Sequence, residues 1–461
     1  MKQRLFGTSG IRGIINSDYY VDLPLKVGLA IATLTDSGNI LAGRDSRVSS
    51  RMFEESLISG LLAGGSSVQC LGLVPTPVLA FLTRELDAET GVMITASHNP
   101  PEYNGIKLFG KDSCAYADDQ QVQIEGIIRN QSFRRVCAST WKTLTDARKI
   151  NEVSRYSEKI RNKIKLNNKW RIVLDLGHGA TCCVAPKLFR EINLEVITIN
   201  SHIDGFFPGR KPLPDAESLI PLSNVVKNLS ADIGIAYDGD GDRMSIIDEK
   251  GLMIPSDQLM AAFAAHLVKK NDGGVVVTTV EASLCMESMV EEYSGKVIRT
   301  KVGDVAIATS TKKHRAIFGG EPCGAWINPQ YHLCPDGILS SLLLLEFLEE
   351  SHTPLSSLIS KIPQRSIIRR DLVCPNEAKI GVMQNLARKL PLLFEEESKV
   401  TMLDGIRIVL EKSWVLIRKS GTEPLIRLTV ETESERKSKS IMEKVIELTE
   451  NIIKRRLTLK Q

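Results

Sequence analysis

At 461 residues, 43% of them hydrophobic and 25% charged, the chain is long enough for three or four domains of ~100–200 residues and carries apolar surface for several cores. Its net charge of +4 is small and no basic run is interleaved with aromatic residues, which leaves nucleic-acid binding unsupported. No stretch reaches ~18 consecutive apolar residues and the amino terminus "MKQRLFGTSG" lacks an apolar signal region, so a soluble cytoplasmic protein without membrane contact is expected; nine cysteines, with no C-x-x-C spacing, fit reduced thiols.

From the amino terminus, one unit recurs over the first three quarters of the chain: a short apolar run, a loop of glycine and polar residues, then a helical pattern. The instances are "NILAGRDSRVSS", "GVMITASHNP", "RIVLDLGHGA", "ADIGIAYDGDGDR", "GVVVTTVEAS" and "RAIFGGEPCGA". Strands alternating with helices predict βαβ units on parallel or mixed sheets, with the loops gathered at the strands' carboxyl ends. A charged, helix-prone segment from Ser154 to Lys169 sets a boundary near residue 150. A hairpin turn at Glu249-Lys250-Gly251, ahead of a helix beginning near Asp257, sets a second, and the change of pattern at "RRDLVCP", near Pro363, a third. The predicted domains are therefore 1–150, 151–252, 253–364 and 365–461. The last reads strand, helix, three strands and helix, a small α+β domain unlike the others.

The chemistry lies in the loops. "FGTSGIRG", Phe6 to Gly13, is glycine-rich and holds Arg12; a tight turn or a phosphate contact suits it equally. "TASHNPPEYNGIKLFG", Thr95 to Gly110, sets Ser97 beside His98, after an apolar run and before two prolines that continue neither strand nor helix. Neighbouring side chains in an extended segment point in opposite directions, so Ser97 and His98 are not expected to share a hydrogen bond. The flanks are not those of a nucleophile elbow either. Ser97 is expected on a rigid loop at the carboxyl end of a strand, where ligands bind in open α/β sheets; ordinary turn chemistry and a reactive serine both remain open there.

Further along, "GHGATC" follows a strand as a dinucleotide fingerprint does, but Cys182 replaces its third glycine and no ribose-binding acid follows at the right distance. "YDGDGDR" places Asp238, Asp240 and Asp242 at alternate positions on one side of an extended chain, and Gly239 and Gly241 let the backbone curl around a hard cation such as Mg²⁺. An EF-hand fails here, because Arg243 stands at the sixth position, where the turn needs glycine. A solvated acidic turn is the plain alternative. "FGGEPCGAW" sets Glu321 between glycines after a strand, as a sugar-hydroxyl acceptor requires. Cys323, His332 and Cys334 lie close by, yet a fourth zinc ligand is missing. "RKSGTEPLIR" joins two strands, and Arg418, Ser420, Gly421 and Thr422 there suit a concave anion site or a plain hairpin turn.

In that order "FGTSGIRG", "AGRDSR", "VPTP", "TASHNPPEYNGIK", "DGDGDR", "GEPCG" and "RKSGTEP" make a chain that resembles the α-D-phosphohexomutases throughout its length. The resemblance implies three related mixed-sheet α/β domains and a C-terminal α+β domain like the TATA-binding-protein fold, around a central cleft. It implies that Ser97 is a phosphoserine, and that Asp238, Asp240 and Asp242 hold Mg²⁺ with the Ser97 phosphate as remaining ligand. His98 and Asn99 would shape the loop, and Arg12, Lys107 and Arg243 would surround the reacting phosphate, with Lys107 assisting proton transfer. Glu321 and Cys323 would face the ring hydroxyls, while Arg418, Ser420, Gly421, Thr422 and Arg427 would grip the phosphate that is not reacting.

The implied reaction is an intramolecular phosphotransfer through a sugar 1,6-bisphosphate, which also serves as activator. Two departures bear on the sugar. Cys323 and Ala325 stand where many members carry serine and histidine, and Asp304 in "TKVGD" stands where phosphomannomutase/phosphoglucomutase members often carry histidine. An aspartate there is more like the phosphoglucosamine mutases, and it suits an amino sugar's ammonium. The expectation is therefore interconversion of glucosamine 6-phosphate and glucosamine 1-phosphate, feeding UDP-N-acetylglucosamine synthesis, by a monomer or homodimer. Phosphomannomutase/phosphoglucomutase activity is the alternative. A non-catalytic sugar-phosphate sensor is opposed by the intact Ser97 and aspartates, and a plain phosphatase would not need a second phosphate grip at Ser420.

Overall fold

The computed structural model describes residues 4–136, 146–394, 398–420 and 424–458. Its first sheet is built from β1 (Ile11–Ile14), β2 (Asn39–Arg44), β3 (Ser67–Leu73), β4 (Thr90–Ile94), β5 (Tyr103–Gly110) and β6 (Ala147–Lys149), in the order β1-β5-β4-β2-β3-β6. The second holds β7 (Arg171–Asp175), β8 (Glu195–Ile199), β9 (Ile233–Tyr237) and β10 (Met244–Ile247), in the order β10-β9-β7-β8. The third holds β11 (Gly274–Thr279), β12 (Gly295–Thr300), β13 (Phe318–Gly320) and β14 (Trp326–Ile327), in the order β12-β11-β13-β14.

These three sheets share one four-stranded core. In each, the first strand pairs in parallel with the second and third, and the fourth returns antiparallel to the third: β2, β3, β4 and β5; β7, β8, β9 and β10; β11, β12, β13 and β14. The turn between third and fourth strands is therefore an equivalent place in all three, and it carries Ser97 in the first, Asp238 to Asp242 in the second and Glu321 to Cys323 in the third. The strands that lead into these turns are apolar runs buried on both faces, as parallel strands covered by helices must be: "TGVMI" and "IGIAY" are buried at every position.

Packing around the sheets follows from residue size. In the first unit, helices Asp22–Leu34 and Ser50–Ala63 touch backbone to backbone, because a Cβ at Gly60 would lie 2.1 Å from the Leu25 carbonyl oxygen. In the third, Phe263 on helix Ser256–Lys270 stacks on Trp326 at 5.1 Å, and Phe318 and Phe347 meet the same ring edge-on.

The last unit differs. Its sheet, β15 (Ser366–Val373), β16 (Lys399–Thr401), β17 (Ile406–Val409), β18 (Trp414–Lys419) and β19 (Leu425–Thr432), runs β15-β19-β18-β17-β16 and is antiparallel throughout. Helices Asn376–Lys389 and Glu435–Thr458 cover one face, burying Val382, Leu386 and Val445 on Ile417 and Leu428. The short strand Lys399–Thr401 is an element that the apolar pattern does not announce, since two of its three residues are exposed. The unit docks on the third through a small apolar contact in which Val280 is buried with Trp414 and Leu416. The Glu431 carboxylate, from β19, also accepts the Leu284 amide at 3.1 Å. No described helix is long and apolar enough to cross a membrane.

Candidate active site

Ser97 ends up where β4 gives out, and its φ of 52° lies in the left-handed region that non-glycine residues rarely occupy. This overturns the expectation that Ser97 and His98 face apart, which assumed extended backbone. With the chain turned at Ser97, Oγ lies 3.3 Å from His98 Nδ1 and donates to Asp238 Oδ2 at 2.7 Å. Burial and the nearby Arg243 and Arg12 charges hold the His98 imidazole well below its ordinary pKa, so the ring is neutral.

Asp238, Asp240 and Asp242 are buried, and each offers an oxygen within 4.8 Å of the others. Gly241, at φ 78°, turns the loop back so that Asp238 Oδ1 accepts the amides of Gly241 and Arg243. Burial and then the neighbouring Asp242 and Asp240 push the Asp238 carboxyl well above the usual carboxylate range. Burial acts the same way on Asp240, but the Lys107 ammonium and hydrogen bonds from Lys107 and Thr76 outweigh it and hold that carboxyl low. Asp240 Oδ1 and Asp242 Oδ1 are buried with no hydrogen-bond partner. Hard anionic oxygens, close together and short of donors, are the donor set that a divalent ion such as Mg²⁺ takes.

Three cations face this loop. Lys107 Nζ donates to Asp240 Oδ2 at 2.8 Å and Asp242 Oδ2 at 2.5 Å, and although burial opposes its charge, these two carboxylates keep it protonated. Arg12 donates to Asn99 Oδ1 at 3.2 Å, and Arg243 Nε lies 3.8 Å from Asp242 Oδ1. The Nε atoms of both arginines are buried without a hydrogen-bond partner, which suits an incoming anion. Thr76, in the "VPTP" stretch, was not singled out by the sequence; its amide and hydroxyl both bond Asp240, at 2.9 and 2.5 Å, and so fix the acidic loop to the first unit.

The third unit brings Glu321, whose Oε1 accepts the Gly303 amide at 2.9 Å and whose carboxyl burial pushes up to about 7. Cys323 Sγ lies 3.8 Å from Glu321 Oε2. Asp304 heads helix Asp304–His314, and its Oδ1 is held at 2.7 Å by Ser9 of the glycine-rich amino-terminal loop. The weighed zinc cluster does not form: both ring nitrogens of His332 are engaged, one with Asp336 at 2.9 Å and one by the Cys334 amide. Among the described residues the three aspartates are the one group spaced for a metal.

The fourth unit presents Arg418 at the end of β18, with its guanidinium bonded to Glu281 Oε1 at 3.0 and 3.1 Å and 3.4 Å from Asp404 Oδ2. Glu281 follows β11, so this pair crosses between units; it was not singled out in the sequence. The Ser420 carbonyl accepts Lys379 Nζ at 2.9 Å. Arg427 pairs instead across the sheet, 4.0 Å from Asp371. Gly421 and Thr422 lie outside the described residues.

Family models for the phosphoglucomutase/phosphomannomutase domains match in order: α/β/α domain I over residues 3–135, domain II over 154–251, domain III over 255–366 and the C-terminal domain over 373–448. A probable phosphoglucosamine mutase of Pyrococcus abyssi is 42% identical over 452 residues, covering 98% of this chain and 99% of that one. A phosphoglucosamine mutase of Methanococcus maripaludis is 42% identical over 450 residues, covering 96% and 98%. Among solved structures, a phosphoglucomutase/phosphomannomutase family protein of Burkholderia thailandensis superposes with a TM-score of 0.86 at 26% identity, over 98% of each chain. The N-acetylphosphoglucosamine mutase of Aspergillus fumigatus, in complex with GlcNAc-6P and magnesium, shares the fold at a TM-score of 0.57 and 14% identity, over 98% of this chain and 96% of that one.

Proposed function

The chain belongs to the phosphoglucomutase/phosphomannomutase family, and on that premise we propose that it interconverts glucosamine 6-phosphate and glucosamine 1-phosphate. It is an enzyme of the isomerase class that moves a phosphoryl group within one sugar. The observation that carries the reading is the meeting of Ser97 Oγ with the Asp238 carboxylate, 2.7 Å apart, beside two further aspartates and an ammonium.

In our reading the four units, taken as residues 1–150, 151–252, 253–364 and 365–461, each give one loop to the cleft. Ser97 carries the phosphoryl group. Asp238, Asp240 and Asp242 would hold Mg²⁺, together with the phosphate on Ser97, and the ion would supply charge neutralisation to the moving group. On transfer the bond from phosphorus to Ser97 Oγ breaks as one to a sugar oxygen forms, the sugar hydroxyl loses its proton and Oγ gains one. Lys107 stands as an ammonium, so the proton-transfer part it takes is donation. Arg12 and Arg243 balance the phosphoryl charge. The sugar 1,6-bisphosphate then turns over in the cleft, and its other phosphate returns to Ser97.

His98 and Asn99 shape the loop around the phosphoryl group. Glu321 and Cys323 read ring hydroxyls, while Arg418, Ser420, Gly421, Thr422 and Arg427 are assigned to the phosphate at rest. The wall assigned to the sugar carries Glu321, with Arg243 near enough to draw its pKa down and Asp304 and Glu281 near enough to raise it. Such a wall favours an ammonium-bearing sugar over a neutral one. The names of the archaeal relatives support the same substrate.

The test is turnover with Mg²⁺ and a trace of sugar 1,6-bisphosphate on glucosamine, glucose and mannose phosphates. A kcat/KM at least tenfold higher for glucosamine phosphate, about 1.4 kcal/mol of transition-state preference, is expected. Preference for mannose or glucose phosphate would overturn the amino-sugar assignment and leave the phosphotransfer standing.

A further inference from the structure

The strained Ser97 is held from both sides by a closed ring of hydrogen bonds that involves neither metal loop nor sugar loop. Its amide donates to Thr95 Oγ1 at 2.8 Å, and that hydroxyl donates to Asp45 Oδ2 at 2.7 Å. The same Asp45 oxygen accepts Arg47 Nε at 3.0 Å, and Arg47 returns to the Ser97 carbonyl at 2.8 Å.

Arg47 spends its remaining donors on the same loop: one on the Asn99 carbonyl at 2.6 Å, one on Pro100 and one on Tyr103 at 3.0 Å. A guanidinium has five N–H groups in a planar fork. Here four of the five end on backbone carbonyls between Ser97 and Tyr103. Asp45 is as fully used, since its Oδ1 accepts the Arg47 amide and the Ser50 hydroxyl.

Both charged side chains are completely excluded from water, and Phe207 of the second unit lies over the guanidinium, 5.3 Å from ring centre to Cζ. Gly239, next to the acidic triad, packs on the Ser97 carbonyl so closely that a Cβ there would stand 2.6 Å from it. An ion pair this deep recovers its desolvation cost only when every donor and acceptor is satisfied, as here.

We propose that Arg47, with Asp45 and Thr95, is the positioning residue of the phosphotransfer: it holds the 97–103 loop so that Ser97 keeps its left-handed conformation and aims Oγ at Asp238. The inference rests on Ser97 as the phosphoryl carrier. Left-handed backbone in a non-glycine residue is strained and persists only where surroundings over-determine it. A planar, five-donor cation is required, so lysine, with three donors on a tetrahedral head, does not replace it. Because a misplacement of ~1 Å can slow a positioned transfer by ~10²-fold, relaxing the ring acts on the transfer step and leaves the sugar's own contacts intact.

The experiment compares Arg47→Lys, Thr95→Val and Thr95→Ser with the wild-type enzyme, each assayed with Mg²⁺ well below its own Tm. Arg47→Lys and Thr95→Val are expected to lower kcat at least tenfold with KM for the sugar phosphate within threefold. Thr95→Ser, which restores the hydroxyl, is expected within twofold of wild type, and the double variant Arg47→Lys/Thr95→Val no worse than the poorer single one, since both open one ring.

Wild-type kcat in either folded variant, a rise in KM that accounts for the whole loss, or multiplicative effects in the double variant would overturn the proposal. If Arg47→Lys does not fold, the Thr95 pair decides alone. A wild-type enzyme that carries no phosphate on Ser97 and turns over nothing sinks the underlying function; a wild type that turns over beside variants that match it sinks only this inference.

Discussion

Lys107 reaches from the first unit into the acidic loop of the second, where its Nζ lies 2.8 Å from Asp240 and 2.5 Å from Asp242. It is a buried counter-ion for carboxylates that repel one another. Removing one partner of a buried pair costs about 3–5 kcal/mol. Lys107→Met is therefore expected to lower the Tm of the metal-free protein by about 3–5 °C. Mg²⁺ at a hundred times its Kd should return about 2.7 kcal/mol. Thermal denaturation with EDTA and with Mg²⁺ checks both; a variant that Mg²⁺ does not stabilise more than EDTA-treated protein would count against metal binding at the triad.

Ser97→Ala keeps the fold, because the side chain is small and the loop is held through backbone groups. It removes the proposed phosphoryl carrier, and kcat should fall by at least ~10³-fold. Peptide mass spectrometry should find phosphate on Ser97 in the wild-type enzyme. Substantial turnover by the alanine variant would remove the phosphoserine mechanism.

Asp257, on the helix that meets the fourth unit, is half-buried and accepts the Ser283 amide, and desolvation pushes its carboxyl up to about 6. Arg369 and Arg299 pull it down and Glu431 adds to the rise. A carboxyl raised on folding is protonated in the native state while the unfolded chain has already ionised. Its stabilising contribution is complete below the unfolded pKa of ~3.9 and is lost as pH rises through about 6. Asp257→Asn should thus gain on wild type between about pH 4 and 7, by on the order of 3 kcal/mol. Denaturation curves of both proteins across that range give the difference directly; a gap independent of pH would refute the assignment.

Arg418 is bonded to Glu281 and faces Asp404, so a sugar phosphate at its proposed site would compete with carboxylates for its guanidinium. Arg418→Ala should raise KM for the sugar phosphate ~10- to 100-fold, the loss of charge-assisted hydrogen bonds worth about 1.5–3 kcal/mol. Glu281→Gln should lower KM severalfold by weakening the competitor. Initial-rate kinetics on both variants separates the two effects, and a raised KM in Glu281→Gln would instead make Glu281 a sugar contact.

The acidic triad and Ser97 were legible because their chemistry is local: alternate carboxylates with glycines between them, and a serine closing an apolar strand. The three-unit repeat was legible in outline from the strand and loop pattern, but not the equivalence of the three functional turns, which depends on pairing order. The geometry at Ser97 was misjudged since nothing in "TASHNPP" signals a left-handed serine; the force that imposes it comes from Arg47, fifty residues upstream. "AGRDSR" and "VPTP" stood out as motifs, yet the partners of Arg47 and Thr76 are backbone carbonyls and an aspartate from another unit, which spacing cannot reveal. The pairing of Arg418 with Glu281 is likewise a contact between two units far apart in sequence.

That junction has a thermal consequence. Wherever the fourth unit swings off the third, water must wet Val280, Trp414 and Leu416, which are otherwise dry. Exposing apolar area raises heat capacity, whereas parting Arg418 from Glu281 chiefly exposes polar groups, which lowers it. Opening therefore carries an enthalpy that itself changes with temperature, and the balance of open and closed chains should trace a curve rather than a straight van't Hoff line. The sign of that curvature would report which contact, greasy or ionic, dominates any parting of the two units.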